Sequence, residues 1–413
     1  MNSERRTTKL LWLLPVVVLI TITYVYRLGF PSEPYYDEVH YAKFFHTLIH
    51  QHKYDYVSSH PPLWHLLTLA NISVFGEGPI SGRLVSVGAG LFLLVGIYWL
   101  AKDIFKTQRA AWLTVFFSFA DGVSLTQARI GMLNSLTLLF MTLALCVFVE
   151  YFWSERLPRR RALLWTGSFL GLALSTKLAA LGMFLMIYVL VLILLIKKPK
   201  ERAPLFCESL LFLGILPLGI YALINCYILF LPGYSLKDVL KIQVFNWRYH
   251  TVEAARQTHE YMSQWWGWPL LLRPNRFYYS DAQGISSGII CIGNPVMFWM
   301  IPFMIVFLVW NGIARKDRRS GFILLGFLSQ WLFYALGRRL KFFQYIYFAM
   351  PFVAMGLAQM SLECWEKGTA GRWLVVFYLV STLGMFIYWY PLLTGLPVPQ
   401  WFYQNHLWFD SWI

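Results

Sequence analysis

Charge is what this sequence has least of. Lys, Arg, Asp and Glu make up 13% of its 413 residues, against about a quarter in an ordinary soluble domain. With 58% hydrophobic and 18% aromatic residues, a water-solvated fold is excluded for most of the chain, and lipid must be the solvent for its long apolar runs. Cysteine is scarce as well. Cys146, Cys207, Cys226, Cys291 and Cys364 show no paired or metal-type spacing, so neither a disulfide framework nor a cysteine zinc site is implied. No glycine-rich phosphate loop occurs, and no Ser-His-Asp arrangement can be argued from spacing. Acid is rarer than base, 20 residues against 35, for a net charge of +15. An excess of that size suggests nucleic acid only if it clusters on a soluble domain.

It does not cluster that way. Runs of about 20 apolar residues mark eleven candidate spans, near 10–28, 83–100, 110–120, 130–152, 162–176, 178–196, 204–231, 295–313, 320–336, 343–361 and 373–393. The first run has no small-residue cleavage site and reads as a retained span rather than a signal peptide. With the N-terminus inside, the short inside segments hold Arg5, Arg6 and Lys9; Lys102, Lys106 and Arg109; Arg156 and Arg159 to Arg161; Lys197, Lys198, Lys200 and Arg202; Arg315, Lys316, Arg318 and Arg319; and Lys367 and Arg372. Those are 20 of the 35 basic residues, as the positive-inside rule requires. The charge is therefore mostly a topology signal, and no nucleic-acid partner is expected. Two long segments, about 29–82 and 232–294, and a tail rich in Trp and Tyr remain outside. All nine histidines lie in these segments, so the chemistry belongs outside too. A single transmembrane unit, 1–413, with no separate soluble domain is expected.

In the first outside segment, Tyr41, Phe44, Phe45 and Leu48 recur at helical spacing, with His40 and Lys43 on another side. This is the pattern of an amphipathic helix in the membrane interface. Asp37 and Glu38 stand in its first turn, where the helix dipole favours carboxylates, so plain capping would also explain them. His60-Pro61-Pro62-Leu63 opens a second such helix with a rigid start. His46 and His50 at i, i+4 would suit a metal, but no Cys or clear Glu completes a set, and no metal is expected. Trp265, Trp266, Trp268, Trp401, Tyr403, Trp408 and Trp412 read first as interfacial belts; stacking of a sugar on the earlier group is the alternative.

Four features in order carry a more specific reading. They are Asp37-Glu38 followed by His60-Pro61-Pro62-Leu63; Gln127-Ala-Arg129-Ile-Gly-Met-Leu133; Trp268-Pro269 through Arg273-Pro274, Tyr278-Tyr279 and Gly293-Asn294-Pro295-Val296; and Arg339-Leu-Lys341-Phe342 through Pro351-Phe352. Together they resemble the protein O-mannosyltransferases of the GT-C superfamily, over residues 34 to about 355. The resemblance implies that the Asp-Glu pair supplies the catalytic acidic residue and that a polyprenyl-phosphate sugar is the donor. Asn134 stands where that family often has Asp, keeping hydrogen-bonding capacity without charge. The segment 232–294 is too short for the large insert of eukaryotic members, so a minimal bacterial-type member is implied.

The residue types suit that chemistry. A phosphate leaves as a stable anion and needs no acid, so one carboxylate taking the acceptor's proton suffices. Asp37 is the expected base, with Glu38 its partner, and a single displacement inverts the anomeric centre. Fixed cations would stabilise the leaving phosphate. Candidates are Arg129, Lys177, Arg338, Arg339 and Lys341, with snorkelling to headgroups as the ordinary alternative. His60, Arg83, Asn134, Trp268, Arg273 and Tyr345 are expected around the donor and acceptor. The expectation is an all-α, GT-C-type protein of about eleven transmembrane helices in a bacterial inner membrane. It would move a hexose, mannose by resemblance, from the lipid carrier to an extracytoplasmic hydroxyl, such as protein Ser or Thr, with no cofactor beyond the donor. The rival acceptors are lipid A and an envelope polysaccharide. A transporter is the rival class, but internal repeats and midplane charges are not evident.

Overall fold

The computed structural model describes residues 2–55, 60–337 and 340–412. α1 (Asn2–Val25) leads to α2 (Glu38–Gln51) and α3 (Leu63–Phe75). Next come α4 (Pro79–Phe105), α5 (Gln108–Phe119), α6 (Gly122–Arg129), α7 (Asn134–Phe152) and α8 (Arg159–Leu174). α9 (Leu181–Lys197), α10 (Arg202–Ser209), α11 (Leu216–Asn225), α12 (Leu236–Arg248) and the short α13 (Ala254–Arg256) precede a β-hairpin. The remaining helices are α14 (Pro295–Phe298), α15 (Ile301–Ala314), α16 (Arg318–Trp331), α17 (Phe333–Leu336), α18 (Met350–Trp365), α19 (Thr369–Thr394) and α20 (Gln400–Asn405).

Among the described residues, seven helical stretches are long and apolar enough to cross a membrane: 79–105, 134–152, 178–197, 199–230, 295–314, 343–365 and 369–394. Each coincides with an expected span, and the chain is an integral, multi-pass membrane protein. The expected spans near 10–28, 110–120, 162–176 and 320–336 fall on α1, α5, α8 and α16 with α17, which are helical but short or flanked by charge. In the most apolar 18 residues of 343–365, 89% are buried, whereas in those of 199–230 and 369–394 only 22% are. α18 is thus the hub of the bundle, and the other two present their apolar surface outward, as lipid-facing helices do.

The expected span 130–152 begins four residues later than expected. Arg129 ends α6, Ile130 is extended, and α7 starts at Asn134. α6 is itself set off from α5 by Asp121, whose carboxylate accepts from the Ser124 amide and hydroxyl, both at 2.8 Å. The start of α6 is buried, so its amides need a partner within the protein, and the Asp121 carboxylate supplies one as a cap. The basic helix ends expected inside are tied to acids: Glu208 accepts from Arg159 at 2.6 Å and Arg160 at 2.7 Å, and Asp103 pairs with Arg156 at 3.0 Å.

The all-α expectation needs one correction. β1 (Asn275–Ala282) and β2 (Ile285–Cys291) form an antiparallel hairpin, and β3 (Val398–Pro399) pairs with β2. Gln283 and Gly284 both adopt positive φ, 52° and 77°, as a two-residue hairpin turn demands. The hairpin packs on the first loop, with Tyr278 edge-on to Phe30 and Tyr35 at 5.6 and 6.1 Å. The aromatic tail folds against this layer: the Trp412 indole donates to the Leu271 carbonyl at 2.6 Å, and Tyr403 lies against Tyr279 at 4.9 Å.

Candidate active site

α2 forms as its periodicity expects: Tyr41, Phe44, Phe45 and Leu48 are buried, and His40 and Lys43 are exposed. The neighbouring carboxylates at its start have different surroundings. Glu38 is 4% exposed. Its two oxygens take Arg83 Nε at 2.9 Å and Arg83 Nη2 at 2.7 Å, and the Gly131 amide at 2.7 Å. Arg83 spends its other donors on the Leu28, Pro31 and Glu33 carbonyls and lies over the Tyr35 ring. Every donor of this fork is committed to the protein, so Glu38 and Arg83 clamp the first loop to α4 and to the break before α7. Asp37, by contrast, is half-buried and does not cap α2 through its side chain. Its charge acts on Tyr36 and Tyr41, and Tyr345 acts on the same two rings. Burial pushes the Tyr36 phenol well above its ordinary range, and Asp37 adds to that.

A separate cavity of about 290 Å³ has Tyr345 in its wall, and neither Asp37 nor Glu38 lines it. Its polar groups include His60, Lys177, His250, Tyr334, Lys341 and Tyr345, and its apolar wall includes Leu178, Leu181, Trp247, Phe333 and Leu336. Lys177 is held where α8 ends and a short turn begins. The Leu63 amide donates to the Ser175 carbonyl at 3.0 Å, which brings the Pro-Pro start of α3, and His60 with it, to the same place. Lys177 Nζ donates to Asn134 Oδ1 at 2.7 Å, and the Asn134 amide donates to Gln127 Oε1 at 2.6 Å. An amide oxygen positions an ammonium without neutralising it, which is what Asn134 contributes in place of a carboxylate. Lys177 is 6% exposed and lies 5.3 Å over the Tyr345 ring, a position at odds with snorkelling. Tyr345 stacks on Tyr334 at 5.1 Å, and both rest edge-on against Trp268. Trp268 is 1% exposed, so it is a buried support and no platform for a sugar.

The structure therefore gathers Lys177, Lys341, His60 and Tyr345 from the expected set, with Asn134 and Trp268 behind them. Arg83, Arg129 and Arg273 are placed elsewhere. Arg129 Nη1 donates to the Tyr24 carbonyl at 2.7 Å, where the end of α1 offers unpaired carbonyls to a cation. Arg273 Nε donates to the Glu260 carbonyl at 2.8 Å. Neither lines the cavity. Arg338 and Arg339 lie outside the described residues. Sequence reasoning missed His250, whose ring stacks on His60 at 5.3 Å, and Tyr334. The first stands two residues beyond the end of an amphipathic helix, α12, and that was its only signal.

Two family models match in tandem. The model for dolichyl-phosphate-mannose-protein mannosyltransferases matches residues 70–232, and that for the C-terminal four-helix transmembrane region of protein O-mannosyltransferases matches 235–412. A polyprenol-phosphate-mannose–protein mannosyltransferase of Mycolicibacterium smegmatis is 24% identical over 477 residues, covering 96% of this chain and 92% of the relative. Its Mycobacterium tuberculosis counterpart is 22% identical, with 96% and 90% covered. The fold is similar to that of the Saccharomyces cerevisiae Pmt1–Pmt2 complex bound to its sugar donor, with a TM-score of 0.84 at 13% identity over 98% of this chain and 93% of that one. It is less similar to ArnT of Cupriavidus metallidurans bound to undecaprenyl phosphate, at 0.56 and 17% identity over 94% and 73%. With its two halves matched in order and its fold shared end to end, the chain belongs to the protein O-mannosyltransferase family of the GT-C superfamily.

Proposed function

We propose that this protein transfers mannose from a polyprenyl-phosphate carrier to a hydroxyl of a protein acceptor, on the extracytoplasmic side of a bacterial plasma membrane. The observation that carries this reading is the cavity in which Lys177, Lys341, His60 and His250 line one part and an apolar wall the other. A phosphate on a lipid tail asks for both in one place. Arg338 and Arg339, three and two residues before Lys341 in the sequence, are assigned to the same phosphate. The relatives that match over nine-tenths of their length carry this activity in their names.

Asp37 acts as the base. It takes the proton of the acceptor hydroxyl as that oxygen attacks the anomeric carbon, while the carbon–oxygen bond to the phosphate breaks and the charge passes to the phosphate oxygens. The leaving oxygen carries more negative charge in the transition state than before it, so the fixed cations around it stabilise the transition state more than the bound donor. Attack from the side opposite the leaving group inverts the anomeric centre. The chain works as one unit with eleven crossings, the N-terminus cytoplasmic, and α2 and α3 lying in the outer interface.

The test uses purified protein in detergent with radiolabelled polyprenyl-phosphate mannose and a Ser/Thr-rich acceptor peptide. Asp37→Asn should reduce transfer by roughly 10²–10⁴-fold, the usual contribution of a general base. Lys177→Met should lower kcat/KM for the donor by about 10²–10³-fold, as loss of one fixed charge-stabilising donor does elsewhere. Wild-type turnover by a well-folded Asp37→Asn protein sinks the base assignment, and label appearing only in lipid sinks the protein acceptor.

A further inference from the structure

Away from the donor cavity, three metal-ligand side chains from two separated stretches turn to one point. His46 and His50 stand one turn apart on α2, with ring centroids 4.6 Å apart. Glu77 reaches them from the turn joining α3 to α4. One of its oxygens is 2.6 Å from His50 Nε2 and the other 3.8 Å from His46 Nδ1. One ligating atom from each residue lies within 4.8 Å of the other two. The third ligand that the sequence failed to supply is thus Glu77, 27 residues beyond His50 in the chain.

The turn that presents Glu77 is built to hold it. Gly76 and Gly78 flank it at φ +82° and +157°, and Pro79 starts α4 directly. Ser81 Oγ donates to the Gly76 carbonyl at 2.9 Å, and the Asn71 amide donates to the Ser81 carbonyl at 3.0 Å. A lone exposed His–carboxylate pair contributes little and would need a single imidazole. A second imidazole aimed at the same carboxylate adds a ligand, not a stronger ion pair.

We propose that His46, His50 and Glu77 form a site for a divalent transition metal, zinc by the nature of its donors. Two imidazoles and a carboxylate are a zinc set with a fourth position open to water, and two nitrogen ligands suit calcium and magnesium poorly. All three side chains are exposed, so small rotations bring their atoms to the bond lengths of about 2.0–2.2 Å that zinc requires. None of the three lines the donor cavity, and the metal has no part in the transfer step. It ties α2 to the turn before α4. Glu38 and Arg83 join the same two elements within the protein, and a hollow of about 310 Å³, lined by both Glu38 and His46, lies between the two ties.

Tag-free protein in detergent, stripped with chelator and titrated with zinc against a chromophoric competitor, tests the site. Wild type should take one zinc per chain and melt at a higher temperature when loaded. His46→Ala, His50→Ala and Glu77→Gln should lose both effects, and the paired control His40→Ala with His52→Ala should keep them. Because the site is independent of transfer, the inactive Asp37→Asn protein should bind zinc like wild type. The proposal is overturned if wild type takes up no stoichiometric zinc, or if all three ligand variants retain it.

Discussion

Two adjacent carboxylates show how little a residue's identity says about its task. Asp37 and Glu38 have the same charge and the same place in the chain, yet one is committed to Arg83 and a backbone amide while the other is half-buried beside Tyr36. Removing one partner of a buried ion pair leaves the other charge desolvated and unpaired, which costs about 3–5 kcal/mol. Glu38→Ala should therefore lower the chain's stability by that order, visible as a drop in melting temperature and in the yield of monodisperse protein. Asp37→Asn should melt close to wild type. The contrast separates a positioning residue from a reacting one, and equal stability of the two variants would erase it. The adjacent pair was plain in the sequence; the division between its members was not, because Arg83 lies 45 residues away.

At the scale of elements, α3 carries a histidine that the fold keeps neutral. His65 is 2% exposed and packed among Tyr41, Phe44 and Trp64. Burial lowers its pKa from the ordinary 6.5 to about 3. The sign follows from linkage. Above pH 6.5 the ring is neutral folded or unfolded, so nothing is lost. Between 6.5 and about 3 the unfolded chain binds a proton that the folded one refuses, and stability falls by up to about 1.4 kcal/mol per pH unit. Denaturation in detergent from pH 7.5 to 5 should show that decline, and His65→Phe should flatten it; an unchanged slope would mean other groups dominate. The helices were the most legible elements, since the burial of α2 follows its spacing residue by residue. The hairpin was not legible: Gln283-Gly284 is a weaker turn signal than Asn-Gly, and its strands sit inside what reads as an outside loop.

For the whole molecule, the asymmetry of charge makes the sharpest demand. Short basic loops at one end and all the histidines at the other imply opposite sides of the membrane. Ser280→Cys, on the hairpin, should react with an impermeant maleimide added to intact cells. Arg318→Cys, at the start of α16, should react only after the membrane is opened. Both are to be made in a chain whose native cysteines are replaced by Ser. The reverse pattern would place Asp37 in the cytosol and remove the proposed enzyme altogether.

What the sequence determined by itself was the solvent, the order of the apolar segments, and the family, because each is written in local runs and short motifs. Hydropathy needs no partner to be read, and neither does a dipeptide beside a span. Only the tertiary structure decided which of many cations share a cavity, and that Glu77 meets two histidines of α2. It also decided that Arg83 and Arg129 face their own backbone. A side chain's role depends on what lies within a few ångströms of it, and those neighbours come from distant parts of the chain, where periodicity carries no information.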